Sequence, residues 1–195
     1  MAHPAAQPQH LREITEGIIY SSGLQFGLLA LYEVGTLFSW HDHLNVCLTF
    51  SVLFALVVAI VLPVWTIRCR TNAEVLHPGT QQRMSSTLAG WSWFIPVGFL
   101  WLPYQAVTTA WRASAKNGAG TGPVRLWWFA RLGGFVAIVA AGTSHGAAAV
   151  LIWLALRGVS YGAFVHLARQ LCHWQTHDIE QLAASGAAPA PAPAA

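Results

Sequence analysis

The chain has 195 residues, 55% of them hydrophobic and only 9% charged, with ten tryptophans, a formal net charge of +3 and a mean hydropathy of +0.48. Soluble domains carry about a quarter charged residues, so this composition excludes an ordinary soluble domain and points to one all-α integral membrane domain. The positive balance is not a nucleic-acid signature, because the basic residues stand at the ends of apolar runs, where they orient helices; no nucleic-acid partner is expected.

In chain order, residues 1–16 form a polar lead with Pro4 and Pro8 and no cleavable signal pattern. Residues 17–40 are the first apolar run, long enough for a span, which needs about 20 residues. It carries one acid, Glu33, well inside. His41-Asp42-His43 is a polar turn. Residues 44–67 are the second and most apolar span, with Pro63 expected to kink it near its end. A basic loop follows over 68–87, with Arg68, Arg70 and Arg83. Residues 88–114, LAGWSWFIPVGFLWLPYQAVTTAWRAS, are apolar but broken by Pro96 and Pro103. Past Pro103 the pattern becomes amphipathic, with Tyr104, Val107, Ala110 and Trp111 on one helical face and Gln105, Thr108, Thr109 and Arg112 on the other. This half reads as a helix lying on the membrane surface, anchored by Tyr104 and Trp111. A Gly-rich linker carries Lys116 and Arg125. Residues 127–143 are a short span that opens on Trp127 and Trp128 as an interface anchor, with Arg131 one turn in. After the turn Ser144-His145-Gly146, residues 147–171 are the last span, with Arg157 near its middle. Residues 172–195 read as a polar segment and a disordered Ala/Pro tail.

Charge placement decides the topology. If 88–111 crossed the membrane, the two basic loops beside it would lie on opposite faces, against the cytoplasmic bias of Lys and Arg. If that stretch is re-entrant, both loops are cytoplasmic, the turns at 41–43 and 144–146 are outside, and Arg12 and Arg169 are inside. The expected architecture is therefore four transmembrane helices plus a proline-broken re-entrant and interfacial segment, with both termini cytoplasmic. Five transmembrane helices are the alternative.

The order Arg68-x-x-x-Asn72, then Trp91, Trp93, Phe94, Pro96, Pro103-Tyr104-Gln105, Trp111-Arg112-Ala113-Ser114 and Trp127-Trp128 resembles an uncharacterised bacterial multi-pass membrane family, domain of unknown function 4328. The resemblance covers roughly residues 60–130, and the chain departs from it between the prolines, where Gly98-Phe99-Leu100 stands. It implies a protein of the bacterial cytoplasmic (inner) membrane and no known activity.

Several residues could carry chemistry. Glu33 and Arg157 lie at lipid depth, where a charge costs about 2.5–3.5 kcal/mol and normally faces a partner or a wet cavity. They are expected to pair, as a structural lock between first and last spans or as a substrate or proton site. His41, His43 and His145 would meet on the outer face in a metal-binding set with Asp42. On the inner side His173 and His177, one turn apart beyond Cys172, and Cys69 with His77 form a second candidate metal set. Cys47, Cys69 and Cys172 make no CxxC pair, and no catalytic G-x-S-x-G or P-loop is present, so no cofactor is required by the sequence. Small residues such as Gly133, Gly134 and Ala137 suit close helix packing in lipid. Three function classes follow: an accessory or scaffold subunit packed against a larger membrane complex; a small transporter or channel-like protein with a site near Glu33 and Arg157; and a membrane metal-binding or redox protein. The expected partners are the lipid bilayer and other membrane subunits.

Overall fold

The computed structural model describes residues 10–38, 41–77, 84–116, 118–144 and 147–186, and among them there are helices and no strands. Six α-helices follow in order: α1 (Arg12–Leu37), α2 (His41–Leu76), α3 (Ser86–Trp91), α4 (Leu102–Ser114), α5 (Gly122–Ser144) and α6 (Ala147–Ser185), with a 3-10 turn at Gly98–Leu100 before α4. Both α2 and α6 are long and apolar enough to cross a membrane.

The helices overrun the apolar runs that predicted them. α1 begins at Arg12 rather than residue 17, with Glu13 in its first turn, where a carboxylate favours the positive end of the helix dipole. α2 continues through Pro63 and on to Leu76, so the first nine residues of the expected basic loop, 68–76, are helical. α6 does not stop at 171 but runs to Ser185, which places Cys172 to Asp178 on a helix and not in a disordered tail; residues 187–195 lie outside the described part. The physical reason is shared: hydropathy marks where a helix is apolar, whereas its length is set by what its polar end can bond to or pack against.

The chain divides into two compact units. One, the four-helix unit, comprises residues 16–61 and 122–166, and the other, the tryptophan-rich unit, the described parts of 1–15, 62–121 and 167–195.

Within the four-helix unit the neighbours run antiparallel. α1 meets α2 where Leu44 covers Gly35 and Ser51 Oγ donates to the Gln25 carbonyl at 3.4 Å. It meets α6 where Tyr161 OH donates to the Ile19 carbonyl at 3.2 Å, and where Phe26 stacks on Tyr161 with ring centroids 6.2 Å apart. Gly23 leaves room there, since a Cβ would lie 2.6 Å from the Tyr161 hydroxyl and displace it. α5 meets α6 through Ser160 Oγ, which donates to the Trp127 carbonyl at 3.2 Å, and through Trp127 against Phe164 at 5.8 Å. The outward faces are apolar: Leu24 and Leu31 on α1, Phe50 and Ile60 on α2, Phe129 and Val136 on α5, and Ile152 on α6 are all exposed.

The tryptophan-rich unit is built around buried aromatics. Trp65 is fully buried and its Nε1 donates to Thr15 Oγ1 at 3.0 Å. Trp111 meets Trp174 edge-on at 4.7 Å, and Trp93 Nε1 donates to Thr66 Oγ1 at 3.2 Å. Met84, Ala89 and Ala106 form a small cluster with Leu102 at its edge. Ser85 caps α3 by accepting from Leu88 N at 3.2 Å. Between α3 and α4 the chain turns sharply at Pro96-Val97-Gly98, and Val97 takes φ 64°, a left-handed conformation costly for a β-branched residue.

Replacing Trp65 with Ala removes the largest fully buried side chain and leaves Thr15 without its donor. The variant should lose about 3–5 kcal/mol of stability, measured by thermal unfolding of detergent-solubilised protein. A loss within 1 kcal/mol (about the noise of a surface change) would mean that this core is not formed as described.

Candidate functional site

The densest polar arrangement lies in the tryptophan-rich unit and starts from Arg70. This residue stands on the polar end of α2 and is fully buried. Its Nη1 donates to Thr109 Oγ1 on α4 at 2.8 Å, its Nη2 donates to the Met84 carbonyl, and Glu74 one turn along lies at 3.5 Å. The Thr109 hydroxyl can accept from Arg70 because its own proton turns back to the Gln105 carbonyl at 2.9 Å. Burying this charge is offset by the two terminal nitrogens of its planar fork, which reach separate acceptors, while its Nε meets no acceptor.

A second buried polar group comes from α6. Gln175 is fully buried, and its Nε2 donates to the Cys69 carbonyl at 3.0 Å and to Ser114 Oγ at 2.9 Å. It thereby ties α6 to the ends of α2 and α4. One turn further, Asp178 gathers three nitrogen-bearing side chains: Lys116 Nζ lies at 2.5 Å, His77 Nε2 at 3.3 Å and His177 Nδ1 at 3.8 Å. Lys116 also contacts His177 Nδ1 at 3.1 Å. The same carboxylate thus joins the residue after α2, the residues after α4 and the last turns of α6.

The residues singled out in the sequence fall differently from one another. Asn72 is fully buried, Arg68 half-buried and Arg112 exposed. Pro103 is buried in the first turn of α4, where its missing N–H costs nothing, while Pro96 is exposed in the turn before it. Trp93 is half-buried and bonded to Thr66, and Tyr104 is half-buried. Trp111 is not an interfacial anchor: it is buried, and its Nε1 donates to the Gly120 carbonyl at 3.2 Å. The apolar face of α4 packs inward, with Val107 and Ala110 buried beside Trp111, and its expected polar face is also engaged, with Thr108 buried and Thr109 holding Arg70. Trp127 and Trp128 are likewise buried in the four-helix unit, edge to face at 5.3 Å, and do not anchor α5 at an interface.

Glu33 and Arg157 belong to one unit but form no ion pair with each other. Arg157 lies over the Trp153 ring at 6.0 Å, and its side chain rests against Gly134. The register of α1 on α6 explains the separation. Phe26 is level with Gly158, so Glu33, seven residues on, is level with about residue 151, on the order of 9 Å along the axis from Arg157.

Among the described residues no group of three His, Cys, Asp or Glu could hold a metal ion. His173 is exposed, and His177 faces Lys116 and Asp178 rather than a ligand set. The outer set lies outside the described side chains: His41 and His43 fall on α2 with their side chains not described, and His145 falls in neither described stretch. Sequence patterning missed Arg70, Gln175 and Asp178. Each stands in a polar stretch, where nothing in the local pattern separates an interior residue from a solvent-facing one.

The sequence profile of one family, the domain of unknown function DUF4328, matches residues 41–174 of the chain. No curated protein and no solved structure matches it.

Replacing Arg70 with Met should strand the Met84 carbonyl in the interior and cost on the order of 1–3 kcal/mol, whereas Arg68→Met, at a half-buried position, should stay within about 0.5 kcal/mol. Thermal unfolding of the two variants side by side measures the difference; equal losses would remove Arg70 from its structural role.

Proposed function

The chain belongs to the DUF4328 family, and we propose that it is a multi-pass membrane protein acting as an accessory or scaffold subunit packed against a larger membrane complex. The observation that carries this reading is the apolar outward face of the four-helix unit, present on α1, α2, α5 and α6 alike. Such a surface is costly in water and favourable against lipid or another membrane helix. The polar side chains of the tryptophan-rich unit, in contrast, are spent on holding that unit together.

The same reading carries the topology. α1 with 26 residues and α5 with 23 each exceed the length of about 20 that a span needs, as do α2 and α6. The stretch at 88–114 is broken into α3 of 6 residues, turns, and α4 of 13, and neither helix is long enough to cross. Trp91, Phe94, Val97 and Trp101 between them are exposed, which suits a loop dipping into lipid and returning. We therefore propose four spans with a re-entrant segment and both termini in the cytoplasm, at the inner membrane of a bacterium; the break of 88–111 into two short helices supports a returning segment over a fifth span.

In membranes extracted with a mild detergent, the protein should elute as an assembly with a second membrane protein in fixed stoichiometry. Elution as a lone chain overturns the subunit reading. For the topology, Thr87→Cys and Gly120→Cys, each in a background lacking Cys47, Cys69 and Cys172, should both resist a membrane-impermeant thiol reagent in intact cells and both react after permeabilisation. Labelling of just one of them in intact cells would place 88–111 across the membrane.

A further inference from the structure

The indole rings expected at a membrane boundary are buried: Trp111 in the tryptophan-rich unit, Trp127 and Trp128 in the four-helix unit. Trp91 and Trp101, in contrast, are 62% and 50% exposed. Phe94 and Val97 are exposed between them, and the Phe94 ring meets Trp91 edge-on at 6.0 Å. Among the described residues neither of these two indole N–H groups donates to an acceptor. Such a ring gains from apolar contact on its faces and from a polar group at its N–H, a combination offered where acyl chains meet headgroups.

Two features of the tryptophan-rich unit put this patch at that depth. At its start, the Ile67 side chain covers Gly90, and Trp93 Nε1 donates to Thr66 Oγ1 at 3.2 Å. Residues 44–67 of α2 carry no charge and Arg68 follows, so the patch begins at the level where the apolar run of α2 ends. Past its end, residues 88–111 carry no charge before Arg112, and Arg70 on α2 reaches Thr109, three residues short of Arg112. The charge-free stretches of α2 and α4 therefore end at one level, with Arg68 half-buried and Arg112 exposed. Trp101 precedes Thr109 by eight residues, on the order of 12 Å at most along α4, against about 15 Å of hydrocarbon in one leaflet. We propose that Trp91, Phe94 and Trp101 form a lipid anchor, seated in the acyl chains of one leaflet just below the headgroups. The indole N–H groups meet lipid ester or phosphate oxygens, and Arg112 stands at the level of the phosphates. The occupant is lipid because the patch is carried against α2, itself long and apolar enough to cross a membrane, at the turn where Val64 is exposed as well. This inference deepens the reading of 88–111 as a returning segment and rests on it.

The test is tryptophan fluorescence of the purified full chain in nanodiscs of phosphatidylcholine, either plain or brominated near the carbonyl end or near the methyl end of the acyl chain. Bromine quenches an indole that it touches. The emission that Trp91→Phe removes, read as wild type minus variant, should be quenched about twofold or more by carbonyl-end bromines relative to methyl-end ones, and so should the emission that Trp101→Phe removes. The emission that Trp65→Phe removes belongs to a fully buried ring and should be quenched by neither. Should one of the two anchor variants fail to fold, the other carries the comparison. Equal or stronger quenching by methyl-end bromines overturns the proposal, because the ring then lies toward the midplane. No quenching by either lipid also overturns it, because the ring then lies in water or under protein. The two readings fail separately. Labelling of just one of Thr87→Cys and Gly120→Cys in intact cells removes the returning segment, whereas unquenched rings with both positions on one side remove the anchor alone.

Discussion

Arg70 gives up all contact with water, and in exchange its donors reach a hydroxyl on α4 and the carbonyl just ahead of α3, with Glu74 beside it. That exchange fixes where three stretches of chain meet. An apolar residue in its place could fill the volume but could not tell one backbone carbonyl from another. Buried polar groups of this kind contribute modest net stability and much specificity of arrangement, because a packing that left both terminal nitrogens of the fork unmet would be heavily disfavoured; here only Nε goes without a partner. Gln175 acts in the same way between α6, the Cys69 carbonyl and Ser114, and Asp178 gathers Lys116, His77 and His177 at a less buried position. The tryptophan-rich unit is thus held by hydrogen bonds at its centre and by indole packing around them.

The four-helix unit follows the opposite logic. Its helices present leucine, valine, isoleucine and phenylalanine outward, and three of its hydroxyls reach across to neighbours: Ser51, Ser160 and Tyr161 each bond to a backbone carbonyl of a neighbouring helix. Where lipid is the surroundings, apolar residues outside cost nothing, and helix association rests on close packing and short polar bonds rather than on expelling water. Gly23 and Gly134 serve that packing, one beneath a tyrosine and one beneath an arginine. Among the described residues of this unit, Arg157 rests on the Trp153 ring and against Gly134 and meets no acid.

The tryptophans separate what could be read early from what could not. Ten of them in a chain with so few charges point to apolar surroundings. Their individual places did not follow. An indole is equally suited to a headgroup layer and to a protein interior, since either can satisfy its N–H. Trp111 bonds Gly120 inside the protein, Trp127 and Trp128 meet edge to face in the bundle, and Trp91 and Trp101 remain outside. Helix ends were misread for a related cause. Cys172 to Ser185 is too polar to register as a span, yet Gln175 and Asp178 give that part of α6 specific partners that keep it helical.

By itself, the sequence determined that the chain is helical, that α2 and α6 are long and apolar enough for a membrane, and that a doubly proline-broken segment interrupts the helical pattern before α4. Those properties are local: they depend on runs of side-chain hydropathy and on the geometry of proline, which each residue carries with it wherever it goes. Tertiary structure alone decided which polar residues are interior and whom they meet. Arg70 is buried while Arg68, two positions away, is not, and Arg157 meets Trp153 and Gly134 instead of Glu33. A pairing between helices depends on their axial register, and a register is fixed by packing contacts distant in sequence, such as Phe26 on Tyr161 or Trp127 on Phe164, which no local pattern encodes.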